Sequence, residues 1–392
     1  MTDPVVIVAA RRTPIGAFQG CLTPLSAPQL ASAAIRGAFS GLEGLGQDVD
    51  EAVFGCCLMA GLKQAPARQA VLGAGLPDSV PATTLTKMCG SGMKATMLVH
   101  DMLLAGSCSV GLAGGMESMS NAPYVLTRAR GGYRLGHGQA FDHMFLDGLE
   151  DAYEGKLMGY FADLAAAEFG ITRERQDAYA AESVRRAQHA VASGAFRDEI
   201  APVSIAGRQG EQHITDDETP GTCDIARIPR LKPAFTQDGS ITPANASSIS
   251  DGAAALVLMR ESEARRRGIA PLARILSHAT HAQQPGRFPT APAPAIRRAL
   301  ERAGWSVGDV DLFEINEAFA VVTLLAMDAL GLPAEVVNVN GGACALGHPV
   351  GATGARILVT LIHALRARGL RRGLASLCIG GGEATAMAIE IL

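Results

Sequence analysis

No C-x-x-C pair occurs among the eight cysteines of this 392-residue chain, and Cys56 and Cys57 are adjacent. That spacing weakens zinc-site and redox-motif readings. Runs of Lys and Arg longer than three residues are also missing and the formal charge is −4, which argues against nucleic acid as the main partner. No basic n-region or cleavage site accompanies the apolar "VVIVAA" after Met1. No apolar run reads as long enough to cross a membrane, and the closing "IEIL" is no targeting tripeptide. These absences lead to the expectation of a cytoplasmic protein with reduced thiols and no membrane partner. Low-complexity tracts are lacking too: the 45 glycines fall in short motifs, which points to tight turns at strand ends.

What is present is a chain 48% hydrophobic and 18% charged, long enough for more than one domain. Short apolar runs alternate with amphipathic ones, the signature of an α/β fold. The first part reads "VVIVAA", a helix over Ser26–Phe39, "EAVFG", a helix over Ala67–Ala74, "TLTKM", a helix after Cys89, and "SVGLAGG". The last part repeats that order with "LARILSHAT", a helix over Pro294–Ala303, "DLFEIN", a helix from Glu317, "VVNVN", a helix from about Gly351, and "LASLCIGGG". Two similar β-α-β-α-β-α-β halves sharing a layer of helices are therefore expected, with "TAMAIEIL" as a final strand. The divisions expected are 1–119 completed by 250–270, an inserted loop domain over 120–249 with an amphipathic helix at Arg173–Ser193 and a polar stretch from Gly207 to Pro233, and 271–392.

Four places are candidates for chemistry. Cys89 precedes Gly90-Ser91-Gly92 where a strand gives way to a helix, a setting in which unpaired N–H groups favour the thiolate. A buried structural cysteine beside a tight turn explains "CGSG" equally well. His348, on the glycine-rich loop "NGGACALGHPVGATG", occupies the corresponding position in the second half and can take a thiol proton or cap a helix. Cys378 ends an apolar strand before Gly380, Gly381 and Gly382, whose N–H groups can form an oxyanion site. The run lacks the G-x-G-x-x-G spacing, so dinucleotide and P-loop readings are discarded. Asn316, in "INEAF", reads as an N-cap or as an amide holding a water or substrate oxygen. All four fall at C-terminal ends of parallel strands, where open α/β sheets bind ligands.

"CGSGMKA", "GGMESMSN", "NASSISDGAAA", "NEAF", "NGGACALGHPVGATGAR" and "CIGGG" together resemble the motif set of the thiolases, in order and over nearly the whole chain. The likeness is nearest to short-chain members of biosynthetic or mitochondrial type. The resemblance implies a five-layered αβαβα core and an insertion that holds coenzyme A. It further implies reversible condensation of two acetyl-CoA to acetoacetyl-CoA, or the reverse thiolysis, in ping-pong steps through acyl-Cys89. In that scheme His348 activates Cys89, Cys378 is the acid/base, Asn316 positions a water, and the amides of Cys89 and Gly380 form an oxyanion hole. Ser247, Ala234, Phe235, Leu149, Met158, Ala318 and Phe319 would line the coenzyme channel, and Arg227, Arg230 or Lys232 would supply charge for the nucleotide.

The same resemblance implies no permanent cofactor, a potassium site near Tyr179 and "GGACAL", and a homotetramer formed through Arg128–Gly138. Departures from the family pattern are Leu157 and Pro220, where relatives carry histidine and arginine, and Glu383 after the glycine run. Glu383 would raise the Cys378 pKa if it pointed inward, and otherwise would face solvent or pair with an arginine. Two other classes remain: an inactive acyl-CoA or lipid carrier, and a ketoacyl synthase relative. A second catalytic cysteine, Cys378, distinguishes a thiolase from the synthase.

Overall fold

A computed structural model describes residues 3–207 and 210–392. Nine principal strands form its large sheet: β1 (Val5–Arg12), β2 (Glu51–Gly55), β3 (Ala82–Leu85), β4 (Val110–Ser118), β5 (Ser250–Arg260), β6 (Ala273–Ala282), β7 (Leu312–Ile315), β8 (Arg372–Ile379) and β9 (Glu383–Ile391). The spatial order is β7-β8-β9-β6-β1-β5-β4-β2-β3, with the short Gly16–Ala17 strand beside β5 as a tenth member. Within the first half β2 runs parallel to β3 and β4, while β5 returns antiparallel between β4 and β1. In the second half β7 and β8 are parallel and β9 lies antiparallel between β8 and β6. The halves join where β1 meets β6 through only Val6↔Arg274 and Ile7↔Ala273.

The principal helices are α1 (Ala27–Phe39), α2 (Pro66–Gly73), α3 (Ser91–Ala105), α4 (Met158–Glu168), α5 (Arg173–Ser193), α6 (Pro292–Ala303), α7 (Ala320–Leu330) and α8 (Val350–Arg368). Strands β1, β4 and β5 are buried almost throughout, as continuous apolar runs require when helices cover both faces. Helices α3 and α8 form the shared layer, and one core cluster draws on both of them and on strands of both halves. They approach backbone to backbone: a Cβ on Gly92 would lie 2.7 Å from the Ala355 nitrogen, and one on Gly354 would lie 2.5 Å from the Met93 nitrogen. Glycine is required at both points.

Three sequence expectations need correction. "VVNVN" contributes only a single bridge, Phe313↔Val337, because the chain turns there and Asn338 adopts φ 47. The helix expected from Glu317 begins at Ala320, since Glu317 is held by other groups described below. Helix α8 is long and apolar enough to cross a membrane by length and composition, contrary to the reading of the sequence, yet most of it is buried between the two halves. Of the polar stretch from Gly207 to Pro233, residues 208–209 lie outside the described residues. A hairpin of Val203–Gly207 with Gly210–Ile214 and two 3-10 turns account for much of the remainder.

The insertion is tied to the core by buried charge. Arg12, fully buried at the end of β1, donates to Asp217 at 2.7 and 2.9 Å and also pairs with Glu199. Removing either carboxylate would leave a buried cation undercompensated, which costs several kcal/mol, roughly 3–5 in comparable cases. The paired arrangement therefore fixes where the second half of the insertion lies against the end of β1.

Candidate active site

A cavity of about 370 Å³ opens at the strand ends between the two halves and the insertion. Cys89, His348, Cys378 and Gly380 line its floor. The insertion side is apolar: Leu149, Met158, Ala234 and Phe235 face Ala318, Phe319 and Phe288. Phe319 stands edge-on to Phe235, with ring centroids 6.1 Å apart, and tilted against Phe288 at 6.3 Å. The wall is held by Asp163 of α4, which accepts the Ser240 and Ile241 amides at 2.7 and 2.9 Å. Ser247, also on the lining, donates its amide to the Ala318 carbonyl at 3.0 Å, stitching the insertion's return to the second half.

Cys89 sits between Met88, whose φ is 46, and the first turn of α3. Its sulfur is reached by the backbone N–H groups of Gly380 and of Cys89 itself, which favour the thiolate. Burial outweighs them, and with Glu117 it pushes the thiol up to about 11. This corrects the expectation of a thiolate set by the helix terminus: at rest the group is a thiol and needs a base. Cys378 is also held well above the ordinary value, first by burial and then by the proximity of Cys89.

His348 supplies a base of defined orientation. Its amide donates to the Ser248 carbonyl at 3.0 Å, and its Nδ1 lies 2.7 Å from Thr353 Oγ1. Because that hydroxyl gives its own proton to the Pro349 carbonyl at 2.9 Å, it must accept from Nδ1–H. Nε2 then carries the lone pair, and it is buried without a partner among the described residues. Burial, then the Arg356 charge, lowers the imidazole to about 3, so it is neutral. Gly347 just before it has φ 104, and a Cβ there would strike Ser250 Oγ at 2.0 Å. Only glycine brings His348 to this place.

Asn316 is placed differently from the expectation that four residues share one pocket. Its backbone N–H pairs with the Ser376 carbonyl at 2.9 Å, beside β8, but it is not on the cavity lining. Both atoms of its amide are buried without partners among the described residues. Such an orphaned amide fits a bound water or substrate oxygen. Arg227, Arg230 and Lys232 are exposed on and just after the 3-10 turn Ile225–Arg230, away from the cavity lining and without a carboxylate partner among the described residues. Glu383 points neither inward nor to an arginine; its carboxylate pairs with Lys87.

Two buried carboxylates that sequence reasoning passed over organise these loops. Glu117 accepts the amides of Cys57, Leu58 and Gly351 at 3.0, 3.1 and 2.8 Å, linking the loop after β2 to the first turn of α8. Glu317 accepts the Tyr179 and Ser183 hydroxyls at 2.9 and 2.7 Å, Asn338 Nδ2 at 3.0 Å and the Cys344 amide at 3.0 Å. Glu117 thus gathers backbone N–H groups from two segments, and Glu317 gathers two hydroxyls, a side-chain amide and one backbone N–H. The signal available in the sequence was an acidic residue inside otherwise apolar strand ends, "GGMES" and "INEAF".

Residues 5–262 match the family described as "Thiolase, N-terminal domain", and residues 269–391 match "Thiolase, C-terminal domain". The chain belongs to the thiolase family. It is similar to the "Acetyl-CoA acetyltransferase" of Escherichia coli, 49% identical over 389 residues, with 99% of each chain covered. The protein of the same name from Pseudomonas aeruginosa is 48% identical over 98% of each chain. The crystal structure of the Bacillus anthracis acetyl-CoA acetyltransferase superposes with a TM-score of 0.97 at 43% identity, covering 100% of this chain and 99% of that one. This thiolase thus has the fold that the motif set implied, two similar halves with an inserted loop domain.

Proposed function

We propose that this thiolase joins two acetyl-CoA molecules into acetoacetyl-CoA and coenzyme A, and catalyses the reverse thiolysis, with Cys89 as the acyl carrier. The observation that carries the reading is one cavity lined by two protonated thiols and by a neutral imidazole whose free Nε2 is unpartnered. Full-length similarity to acetyl-CoA acetyltransferases supports the substrate.

The protons balance with both thiols neutral at the start. Cys89 passes its proton to His348 Nε2 and attacks the acetyl-CoA carbonyl, while Cys378 protonates the departing coenzyme thiolate. The site then holds acetyl-Cys89, an imidazolium and a Cys378 thiolate. That thiolate removes an α-proton from the second acetyl-CoA, and the resulting carbon nucleophile attacks acetyl-Cys89. The released Cys89 sulfur regains its proton from His348, restoring the starting state. The imidazolium, and a water on Asn316, would stabilise the enolate oxygen, while the Cys89 and Gly380 amides would receive the tetrahedral oxyanion. Donors of this kind are worth about 3–4 kcal/mol each.

The coenzyme would enter over Leu149, Met158, Ala234, Phe235 and Ser247 and past Ala318 and Phe319. Arg227, Arg230 and Lys232 are unpaired cations for its phosphates. The fully exposed Leu135, with Leu126 and Tyr133 nearby, supports assembly of a tetramer through this loop. Potassium near Tyr179 belongs to the same reading; the Tyr179 hydroxyl is engaged by Glu317 and Asn338, so the ion would use oxygens around that pair. Equal activity in sodium and potassium buffers would remove it, and a dimeric mass in light scattering would remove the tetramer. For the activity itself, thiolysis of acetoacetyl-CoA is compared with that of longer and 2-methyl 3-ketoacyl-CoAs. Fast turnover of the C4 substrate is expected; comparable rates on long chains overturn the assignment.

A further inference from the structure

On the outer flank of α3, away from the cavity, three ligand-type side chains converge. Asp101 Oδ1 lies 2.9 Å from His100 Nδ1 and 2.9 Å from His278 Nε2. The imidazoles are perpendicular, at 88°, with ring centroids 5.0 Å apart, and one ligand atom from each of the three residues lies within 4.8 Å of the others. His100 and Asp101 are neighbours near the end of α3, whereas His278 comes from β6 in the other half. Consecutive helical residues normally diverge by about 100°, so their meeting at one oxygen is a specific arrangement.

We propose that His100, Asp101 and His278 form a binding site for a divalent ion of the zinc class, independent of the catalytic reading. Two imidazole nitrogens and one carboxylate oxygen suit zinc, cobalt or nickel, whereas magnesium and calcium prefer all-oxygen sets. Metal–ligand bonds of about 2.0–2.2 Å place neighbouring donors a little over 3 Å apart, so the two Asp101–imidazole separations need widen by only a few tenths of an ångström, and the imidazole nitrogens, within 4.8 Å of each other, need only close on the ion. Asp101 is 52% exposed at its side chain while the His100 ring is 11% exposed, giving the ion a route from solvent against a fixed wall. Water would complete the coordination sphere. Binding needs no co-reactant: in each neutral ring the proton facing Asp101 moves to the outward nitrogen, and a ring protonated beforehand releases one proton. The ion would brace α3, whose first turn follows Cys89, to β6 across the two halves.

The test uses the intact protein with Co²⁺ as the probe and Zn²⁺ as its competitor. One equivalent of Co²⁺ should bind with weak d–d absorption and no sulfur-to-cobalt charge-transfer band, and Zn²⁺ should displace it. His278→Ala and Asp101→Asn should each weaken binding at least tenfold while thiolysis rates stay as in the parent. Undiminished binding in His278→Ala, a charge-transfer band from the cysteines alone, or no binding to the parent overturns the site. In any of those cases the trio is a carboxylate hydrogen-bonded by two imidazoles. Circular dichroism of both variants separates lost binding from lost folding, and His278→Ala, a part-exposed strand position, carries the test if Asp101→Asn unfolds.

Discussion

Lys87 and Glu383 pair across the two loops that carry the sulfurs of the cavity. Lys87 stands two residues before Cys89, and Glu383 opens the strand that follows the glycine turn after Cys378. The loops are also in steric contact, since a Cβ on Gly90 would meet Ile379 Cδ1 at 2.4 Å. The ion pair is a staple between the segments of the proposed nucleophile and the proposed acid/base. Its side chains are 21% and 32% exposed, so it contributes at most about 1 kcal/mol to stability. Glu383→Gln should lower kcat several-fold, leave KM for acetoacetyl-CoA within about twofold, and keep the inflections of the pH–rate profile. A displaced inflection would mean that the carboxylate acts on Cys378 directly.

The two cysteines should separate the half-reactions. Cys378→Ala should still become acetylated by acetyl-CoA, detected as an added acetyl mass on the Cys89 peptide, while condensation falls by about 10³-fold or more. Cys89→Ala should show neither. Mass spectrometry of the intact protein after brief exposure to acetyl-CoA checks both; acetylation surviving in Cys89→Ala would assign the nucleophile elsewhere.

Cys89 is held at about 11, so at a given pH it carries less thiolate than a free cysteine of ordinary value 9.0. Inactivation by a neutral alkylating agent should therefore climb about tenfold per pH unit from pH 7 to 10, without levelling near 9. Saturating acetyl-CoA should suppress it. A plateau at or below pH 9 would show that the amides of Gly380 and Cys89 outweigh burial.

Thr353 fixes the tautomer of His348 by accepting from Nδ1 while donating to Pro349. Thr353→Val removes that acceptor and should reduce kcat by about 10- to 100-fold, in the range of a lost general-base orientation, with KM little changed. Thr353→Ser should restore most of the rate. Equal loss in both variants would point to packing of α8 instead.

Glu117 has three backbone amides and the Cys56 thiol directed at it in a fully buried site. Glu117→Gln replaces one acceptor oxygen with an NH₂ that faces N–H donors, and should cost about 2–4 kcal/mol in urea unfolding. A loss below 1 kcal/mol would mean that the amides find water.

The alternation of apolar and amphipathic runs made the doubled half legible, because β1, β4, β5 and β8 are buried on both faces and so are apolar along most of their length. Cys89, His348 and Cys378 were singled out for a local reason, a glycine within two residues at a strand end, and all three line one cavity. Asn316 was read correctly as a strand-end residue, but its place off the cavity lining was not legible, since strand-end position does not say which way an amide turns. Glu117 and Glu317 escaped because their partners, backbone N–H groups for the first and mostly side-chain hydroxyls and an amide for the second, lie on other segments of the chain, which no spacing rule encodes. The Cys89 thiol was misjudged because a helix terminus is visible in sequence and desolvation is not.

Where α3 and α8 cross at Gly92 and Gly354, the contact lies in the first turn of α3, just after Cys89, and at the start of the second turn of α8, six residues after His348. The gap from Cys89 to His348, the proposed acyl carrier and base, is consequently gauged by two bare polypeptide ribs lying against each other. A single methyl at that crossing would wedge the ribs apart and lengthen the proton's path, with every reactive atom still present.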